Sequence, residues 1–305
     1  MSIMCTHELY SNGADITMIV SRILNILPNE IGNVEVLKKG MTNRSFIFSY
    51  RNKRYILRMP GEGTDKLINR KTEAEVYGVI IDKKICDNIV YINPDNGYKI
   101  TEYFEGARVC NPDSEKDIKI CIDTLRRFHN MHLSVKNEFD LYGQIEFYEK
   151  LWKGRISVYD DYADTKRKVY ELKQYIDKQD KEYCLTHIDA NPDNFLFTKN
   201  GQVRLIDWEY AGMQDPHVDI SMFCIYSMYD KWEVDRLIDI YFENKCTENI
   251  RLKIYCYISV CGLLWSNWCE YKSKLGVEFG EYSLQQYRYA REYYELVVNE
   301  LGDNL

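Results

Sequence analysis

The chain has 305 residues, 45% hydrophobic and 29% charged, the composition of a soluble globular protein with ample material for a buried core. Forty Lys plus Arg stand against 47 Asp plus Glu, a net charge of −7 that disfavours a nucleic-acid partner and is compatible with a cationic small substrate. Ten cysteines are scattered without a Cys-x-x-Cys pair, no export signal opens the chain and no apolar run reaches membrane-spanning length, so a reduced, cytoplasmic protein with no membrane partner is expected.

In chain order, residues 16–27 carry helical periodicity up to Pro28, and 34–38 read as a strand. Gly40-Met41-Thr42-Asn43-Arg44 is a turn. It leads into strands over 45–50 and 54–58, joined by the polar turn Arg51-Asn52-Lys53. A helix is expected over 67–82, with Leu67, Ile68, Val76, Ile80 and Ile81 as its apolar positions. Strands at 89–92 and 98–103 flank Asn93-Pro94-Asp95-Asn96-Gly97. After Phe104-Glu105-Gly106 the pattern turns helical, over 115–132, 142–152 and 164–178. Phe195-Leu196-Phe197 and Val203-Arg204-Leu205-Ile206 then read as strands around Lys199-Asn200-Gly201, and from Asp219 onward the chain is helical. There are no repeats. The expectation is an α+β, bilobal fold: a small antiparallel-sheet lobe over 1–104 and a larger, mainly helical lobe over 105–305, with a hinge near 104–106.

The most telling stretch is His187-Ile188-Asp189-Ala190-Asn191-Pro192-Asp193-Asn194, followed after the strand pair by Ile206-Asp207. Asp-x-x-x-x-Asn with a later Asp is the spacing by which a kinase holds a base and Mg²⁺ around a phosphoryl group. Asp189 is the expected base, because a carboxylate within hydrogen-bond reach suffices to take a proton lost late from an attacking hydroxyl. Asn194 and Asp207 are the expected metal ligands, oxygen donors suited to a hard cation. Asn-Pro-Asp-Asn is turn chemistry in its own right, but the flanking strand pair is the context the kinase reading requires and brings Asn194 and Asp207 to one edge. His187 is expected to hydrogen-bond structurally.

On the nucleotide side, the Gly-containing turn from Gly40 to Arg44, with Asn43, can offer backbone N–H groups to phosphates, although by itself an ordinary hairpin turn accounts for it better. Arg58 ends the next strand, where a kinase places a cation for the α- and β-phosphates, and a carboxylate on the following helix holds that cation. Glu73 is the first choice by spacing and Glu75 the second, with a plain surface salt bridge as the alternative. Glu102 and Phe104, in Thr101-Glu102-Tyr103-Phe104, mark the place where hinge backbone would meet adenine.

Taken together, these residues resemble the choline/ethanolamine kinases of the aminoglycoside-phosphotransferase-like superfamily, in particular the bacterial choline kinases. Four segments carry the resemblance: residues 40–46, residues 55–61 with Leu67-Ile68-Asn69-Arg70, residues 186–194, and Leu205-Ile206-Asp207-Trp208-Glu209-Tyr210-Ala211-Gly212 running into Asp215-Pro216 and Asp219-Ile220. The third is shared across the superfamily, and the fourth is more particular to choline kinases. The resemblance implies ATP- and Mg²⁺-dependent phosphorylation of choline, with an aromatic substrate pocket in the helical lobe. Trp265 and Trp268 match the family's paired-tryptophan helix, and Tyr287 lies near its later pocket tyrosine. Trp208, Glu209 and Tyr226 are the further substrate-side candidates. Spacing from Trp268 to Glu278-Phe279-Gly280 leaves open which later tyrosine closes the pocket.

The chemistry of choline is consistent with such a pocket. A quaternary ammonium donates no hydrogen bonds, so π faces and carboxylates must recognise it. Trp265 and Trp268, three apart, share a helix face. By themselves they suit core packing better, and it is the resemblance that assigns them to substrate. His129 and His132, also on one face, are expected to be structural, since two histidines without a third ligand make a poor zinc site. Asp219 is expected to lock the catalytic loop rather than touch ligand. A kinase of ethanolamine, thiamine or an aminoglycoside is the alternative within the same chemistry. An inactive ligand-sensing fold is disfavoured by the intact Asp189, Asn194 and Asp207.

Overall fold

The computed structural model describes residues 13–39, 43–61, 64–152, 154 and 156–302. They form two compact units, one reaching Ala107 and including Thr198–Asn200, the other made of the remainder from Arg108 onward.

The first unit runs α1 (Gly13–Leu24), β1 (Gly32–Lys39), β2 (Asn43–Tyr50), β3 (Lys53–Pro60), α2 (Arg70–Ile80), β4 (Ile89–Ile92) and β5 (Lys99–Glu102). Its sheet has the order β1-β2-β3-β5-β4, antiparallel throughout. The β2–β3 hairpin pairs Tyr50 with Lys53 across Arg51 and Asn52, which sit at φ 48° and 61°. Two central residues in the left-handed region are what a type I′ turn demands, and its twist matches that of the strands. Strand alternation then separates two faces. Phe46, Phe48, Leu57, Met59 and Ile100 turn towards Ile16 and Val20 of α1 to form the core. The intervening Arg58 and Lys99 are a register pair and are buried on the other face, where Glu73 of α2 meets Arg58.

Helix boundaries follow local chemistry. Asn25 at φ 53° ends α1 before the expected 27, as a left-handed residue just past a helix commonly does. The α2 helix begins at Arg70 rather than 67, because the Asn69 side chain accepts from the N–H groups of Lys71 and Thr72 and so caps it.

The second unit contains β6 (Arg108–Val109), α3 (Glu115–His129), α4 (Leu141–Leu151), α5 (Tyr162–Lys178), β7 (Cys184–Thr186), β8 (Phe195–Phe197), β9 (Val203–Leu205), β10 (Gly212–Gln214), α6 (His217–Tyr226), α7 (Lys231–Tyr241), α8 (Glu248–Ser273) and α9 (Glu281–Leu301). Strands β6, β8 and β9 form one small sheet, and β7 and β10 another. The short strands β6, β7 and β10 were not among the sequence expectations; two or three residues are too few to show a period. Every residue of α8 from Leu252 to Lys272 is buried, so this helix is the axis of the unit. At Gly262 a Cβ would stand 2.7 Å from the Gln286 carbonyl oxygen. Glycine there is what lets α9 lie against α8 so closely.

Cysteines among the described residues are free thiols, and no described helix is long and apolar enough to cross a membrane.

Candidate active site

The loop leaving β7 is built around a strained residue. Ile188 has φ 67°, a conformation unfavourable for a β-branched side chain that costs about 1–3 kcal/mol. Asp219 of α6 holds it there. Its carboxylate accepts the backbone N–H of His187 at 2.8 Å and that of Ile188 at 2.7 Å. The His129 ring stands behind it, with Nε2 2.9 Å from Asp219 Oδ2 and Nδ1 2.8 Å from the Tyr241 hydroxyl. His187 Nε2 lies 2.9 Å from the Ile206 carbonyl oxygen, tying the loop to the end of β9. His187, His129 and Asp219 are thus structural, as expected. His132, beyond the end of α3, is exposed and takes no such part.

Beyond Ile188 the chain turns through Pro192–Asn194, with the Asn191 side chain accepting the Asp193 N–H. The Asn194 amide donates to both the backbone oxygen and Oδ2 of Asp189, each at 2.9 Å. Its own side-chain oxygen remains as an acceptor for a cation. The β8–β9 pair closes with the Ile206 N–H on the Asn194 carbonyl at 2.9 Å. Asp207 is the next residue, half-buried at φ 66°. Asp189, Asn194 and Asp207 are therefore carried on adjoining backbone. One amide oxygen and one carboxylate form a donor set that suits Mg²⁺, an ion that takes few protein ligands and keeps the rest of its sphere for water and phosphates. Burial pushes the Asp189 carboxyl up to about 6; hydrogen bonds with Tyr226 and Asn194 oppose the shift, and the negative charges of Glu209 and Asp219 add to it.

Tyr226, which acts on the Asp189 carboxyl, belongs to a run of aromatic rings. Trp265 lies with its centroid 5.7 Å from Tyr226, 5.7 Å from Tyr210 and 6.0 Å from Trp268. Trp268 continues to Phe279 at 5.5 Å, and Phe279 to Tyr282 at 6.4 Å. Glu209, which precedes Tyr210 in the chain, is buried. Of the expected substrate residues, Tyr226, Trp265 and Trp268 are thus in one neighbourhood.

Two others, Trp208 and Tyr287, have partners of their own. Trp208 is fully buried, donates its indole N–H to the Leu205 carbonyl at 2.7 Å and packs edge-on against Phe128 and His187. Tyr287 stacks on Tyr159 at 3.7 Å and commits its hydroxyl to Asp161 at 2.8 Å and Thr165 at 2.9 Å. The tyrosine beside Phe279 is Tyr282 instead. Sequence reasoning passed over Tyr210 and Tyr282, although Tyr210 lies within the quoted Asp-Trp-Glu-Tyr-Ala segment and Tyr282 only three residues past Phe279.

In the first unit, Arg58 makes a two-pronged bond to Glu73 at 2.5 and 2.8 Å, and both residues are buried. Glu75 is exposed and is not the partner. Arg70 also donates to Glu73, at 2.8 Å, and to the Asn43 side-chain oxygen at 3.1 Å. Burial disfavours ionised Glu73, yet the charges of Arg58, Lys99 and Arg70 hold its carboxyl at about 2. Arg44 is half-buried on β2, while Gly40, Met41 and Thr42 lie outside the described residues. Glu102 ends β5, where its side chain accepts from Asn88 at 2.8 Å and Lys53 at 3.3 Å, and Phe104 follows, half-buried.

Known proteins of the same kind share this architecture. Residues 34–248 match the model of the choline/ethanolamine kinase family. The crystal structure of choline kinase LicA from Streptococcus pneumoniae superposes with a TM-score of 0.80 at 28% identity, covering 92% of this chain and 98% of that one. A structure of LicA in complex with AMP gives 0.78 at 27% identity, covering 92% and 98%. Protein LicA of Haemophilus influenzae is 27% identical over 266 residues, 81% of this chain and 96% of that protein. With its sheet-based first unit, its helical second unit and the Asp189 loop between β7 and β8, the chain belongs to the choline/ethanolamine kinase family, kinases that phosphorylate choline or a similar small molecule.

Proposed function

We propose that the protein transfers the γ-phosphate of ATP to the hydroxyl of choline, giving phosphocholine and ADP. The observation that carries this reading is the run of π faces around Trp265, which includes the Tyr226 that acts on the Asp189 carboxyl. Rings of this kind attract a quaternary ammonium that cannot hydrogen-bond, and choline carries its hydroxyl two carbons from that nitrogen. With the ammonium among Trp265, Trp268 and Tyr226, Asp189 takes the hydroxyl proton as the oxygen attacks the γ-phosphorus. The bond from that phosphorus to the bridging oxygen breaks, and ADP leaves.

Asn194 and Asp207 hold Mg²⁺ in this reading, and the ion, when bound, offsets the charge of the phosphates. Arg58, fixed by Glu73, binds the α- and β-phosphates as a rigid fork. Asn43 fixes Arg70, which in turn braces Glu73. Arg44 and the backbone at Glu102 and Phe104 complete the nucleotide side. The AMP complex of a LicA relative supports adenine-nucleotide use.

The test is ADP release with ATP and Mg²⁺ against choline, ethanolamine, thiamine and kanamycin. Choline-dependent turnover that vanishes in Asp207→Ala is expected. Turnover with kanamycin and none with choline would overturn the assignment and return the aromatic cluster to the core.

A further inference from the structure

The fully buried Asp219 carboxylate receives three groups: the Ile188 N–H on Oδ1, the His187 N–H on Oδ2, and the His129 ring on Oδ2. A carboxylate in this setting only accepts, so the ring nitrogen facing it must donate, and Nε2 of His129 carries a hydrogen. The other ring nitrogen, Nδ1, meets the Tyr241 hydroxyl at 2.8 Å. A phenol both donates and accepts, so Tyr241 satisfies Nδ1 whether or not that nitrogen is protonated. The ring is 3% exposed, between the rings of Phe128 at 5.3 Å and Tyr241 at 5.9 Å. With both nitrogens engaged, it cannot turn over without breaking two hydrogen bonds. Three helices supply this chain: His129 ends α3, Asp219 lies in the first turn of α6, and Tyr241 ends α7.

We propose that His129, oriented by Tyr241, is a positioning residue for the reaction: its Nε2–H fixes the rotation of the Asp219 carboxylate, and that carboxylate sets where Asp189 presents its own. The inference rests on the reading of Asp189 as the base. Ile188 is held at φ 67°, and a strained backbone persists only where its surroundings over-determine it. A carboxylate bound to the two loop N–H groups alone could turn with them as the loop relaxed. The third bond, from α3, ties it to the helical frame and resists that turn. Asp189 is the next residue along the chain, so any relaxation at Ile188 moves the base first. Tyr241 acts one step further back, by keeping the imidazole in the one orientation that donates to Asp219.

The experiment joins kinetics to NMR of the ¹⁵N-histidine-labelled full chain. Long-range ¹H–¹⁵N correlation should show the His129 hydrogen on Nε2. His129→Leu removes the donor, and kcat should fall by about ten- to a hundred-fold, the scale of a small displacement of a reacting group. The KM values for choline and ATP should stay near those of the wild type. His129→Gln, whose amide N–H can take the place of Nε2–H, should recover most of the loss, which a packing role for the ring would not produce. Tyr241→Phe keeps the aromatic ring and frees the imidazole to turn over, so kcat should fall by less than in His129→Leu, again at unchanged KM. A bare Nε2 in the folded protein would overturn the proposal, as would a His129→Gln variant as slow as His129→Leu or KM values that rise together with the loss of kcat. Should His129→Leu not fold, an unchanged kcat in Tyr241→Phe would overturn it instead. The position of the hydrogen is read without substrate, so absence of choline turnover in the wild type would count against the choline reading and leave the NMR result to decide this one.

Discussion

At the scale of single residues, the loop chemistry depends on Asp219 as much as on Asp189. The Asp219 carboxylate satisfies two buried backbone N–H groups and keeps a β-branched residue at positive φ. In Asp219→Asn one acceptor becomes a donor facing a donor, and an unsatisfied buried group costs about 1–3 kcal/mol. The variant should melt at a lower temperature, and its kcat should fall much more than the KM for choline, since Asp189 is displaced while the aromatic cluster is untouched. Thermal unfolding together with steady-state kinetics checks both; an unchanged kcat would mean that the loop holds its shape without the clamp. The spacing of Asp189, Asn194 and Asp207 was legible in the sequence because those residues lie close along the chain. The partnership of Asp219 with His129 was not, since the two are ninety residues apart and meet only through packing.

At the scale of elements, α2 shows how a helix is tied to a strand by charge. Arg58 and Arg70 both converge on Glu73, which is 1% exposed. Glu73 titrates near 2 in the folded chain against 4.5 for an unperturbed glutamate. A depressed carboxyl pKa stabilises the fold above the unfolded value, and that stabilisation is lost as pH falls from about 4.5 towards 2. Glu73→Gln leaves two buried guanidinium groups without their carboxylate, and removal of one partner of a buried pair costs about 3–5 kcal/mol. Urea unfolding should show a loss of that size at pH 7 and a smaller one at pH 3. A difference independent of pH would mean that the carboxylate charge contributes nothing. The choice of Glu73 over Glu75 was readable from spacing. Its burial was not, because a lone Arg–Glu spacing looks the same on a surface.

At the scale of the whole molecule, the aromatic cluster is assembled from distant parts of the second unit: Tyr210 before β10, Tyr226 at the end of α6, the Trp pair on α8, and Phe279 and Tyr282 at the entry to α9. Trp265 touches three of these rings, so Trp265→Ala should raise the KM for choline by about ten-fold or more, on the scale of a desolvated cation–π contact, with the KM for ATP nearly unchanged. Initial rates with each substrate varied in turn decide the matter; equal shifts in both would identify Trp265 as core.

By itself the sequence determined most elements of the first unit, the sheet-then-helix organisation, the Asp189–Asn194–Asp207 spacing and the family, because periodicity, turn chemistry and short motifs are local properties of the chain. Only the tertiary structure decided that Trp208 packs on Phe128 and His187, that Tyr287 stacks on Tyr159, and that Tyr210 and Tyr282 join the run of rings around Trp265 and Phe279. Each of these depends on which face of a helix meets which neighbour, and a one-dimensional pattern rich in tyrosine and tryptophan is compatible with many such choices.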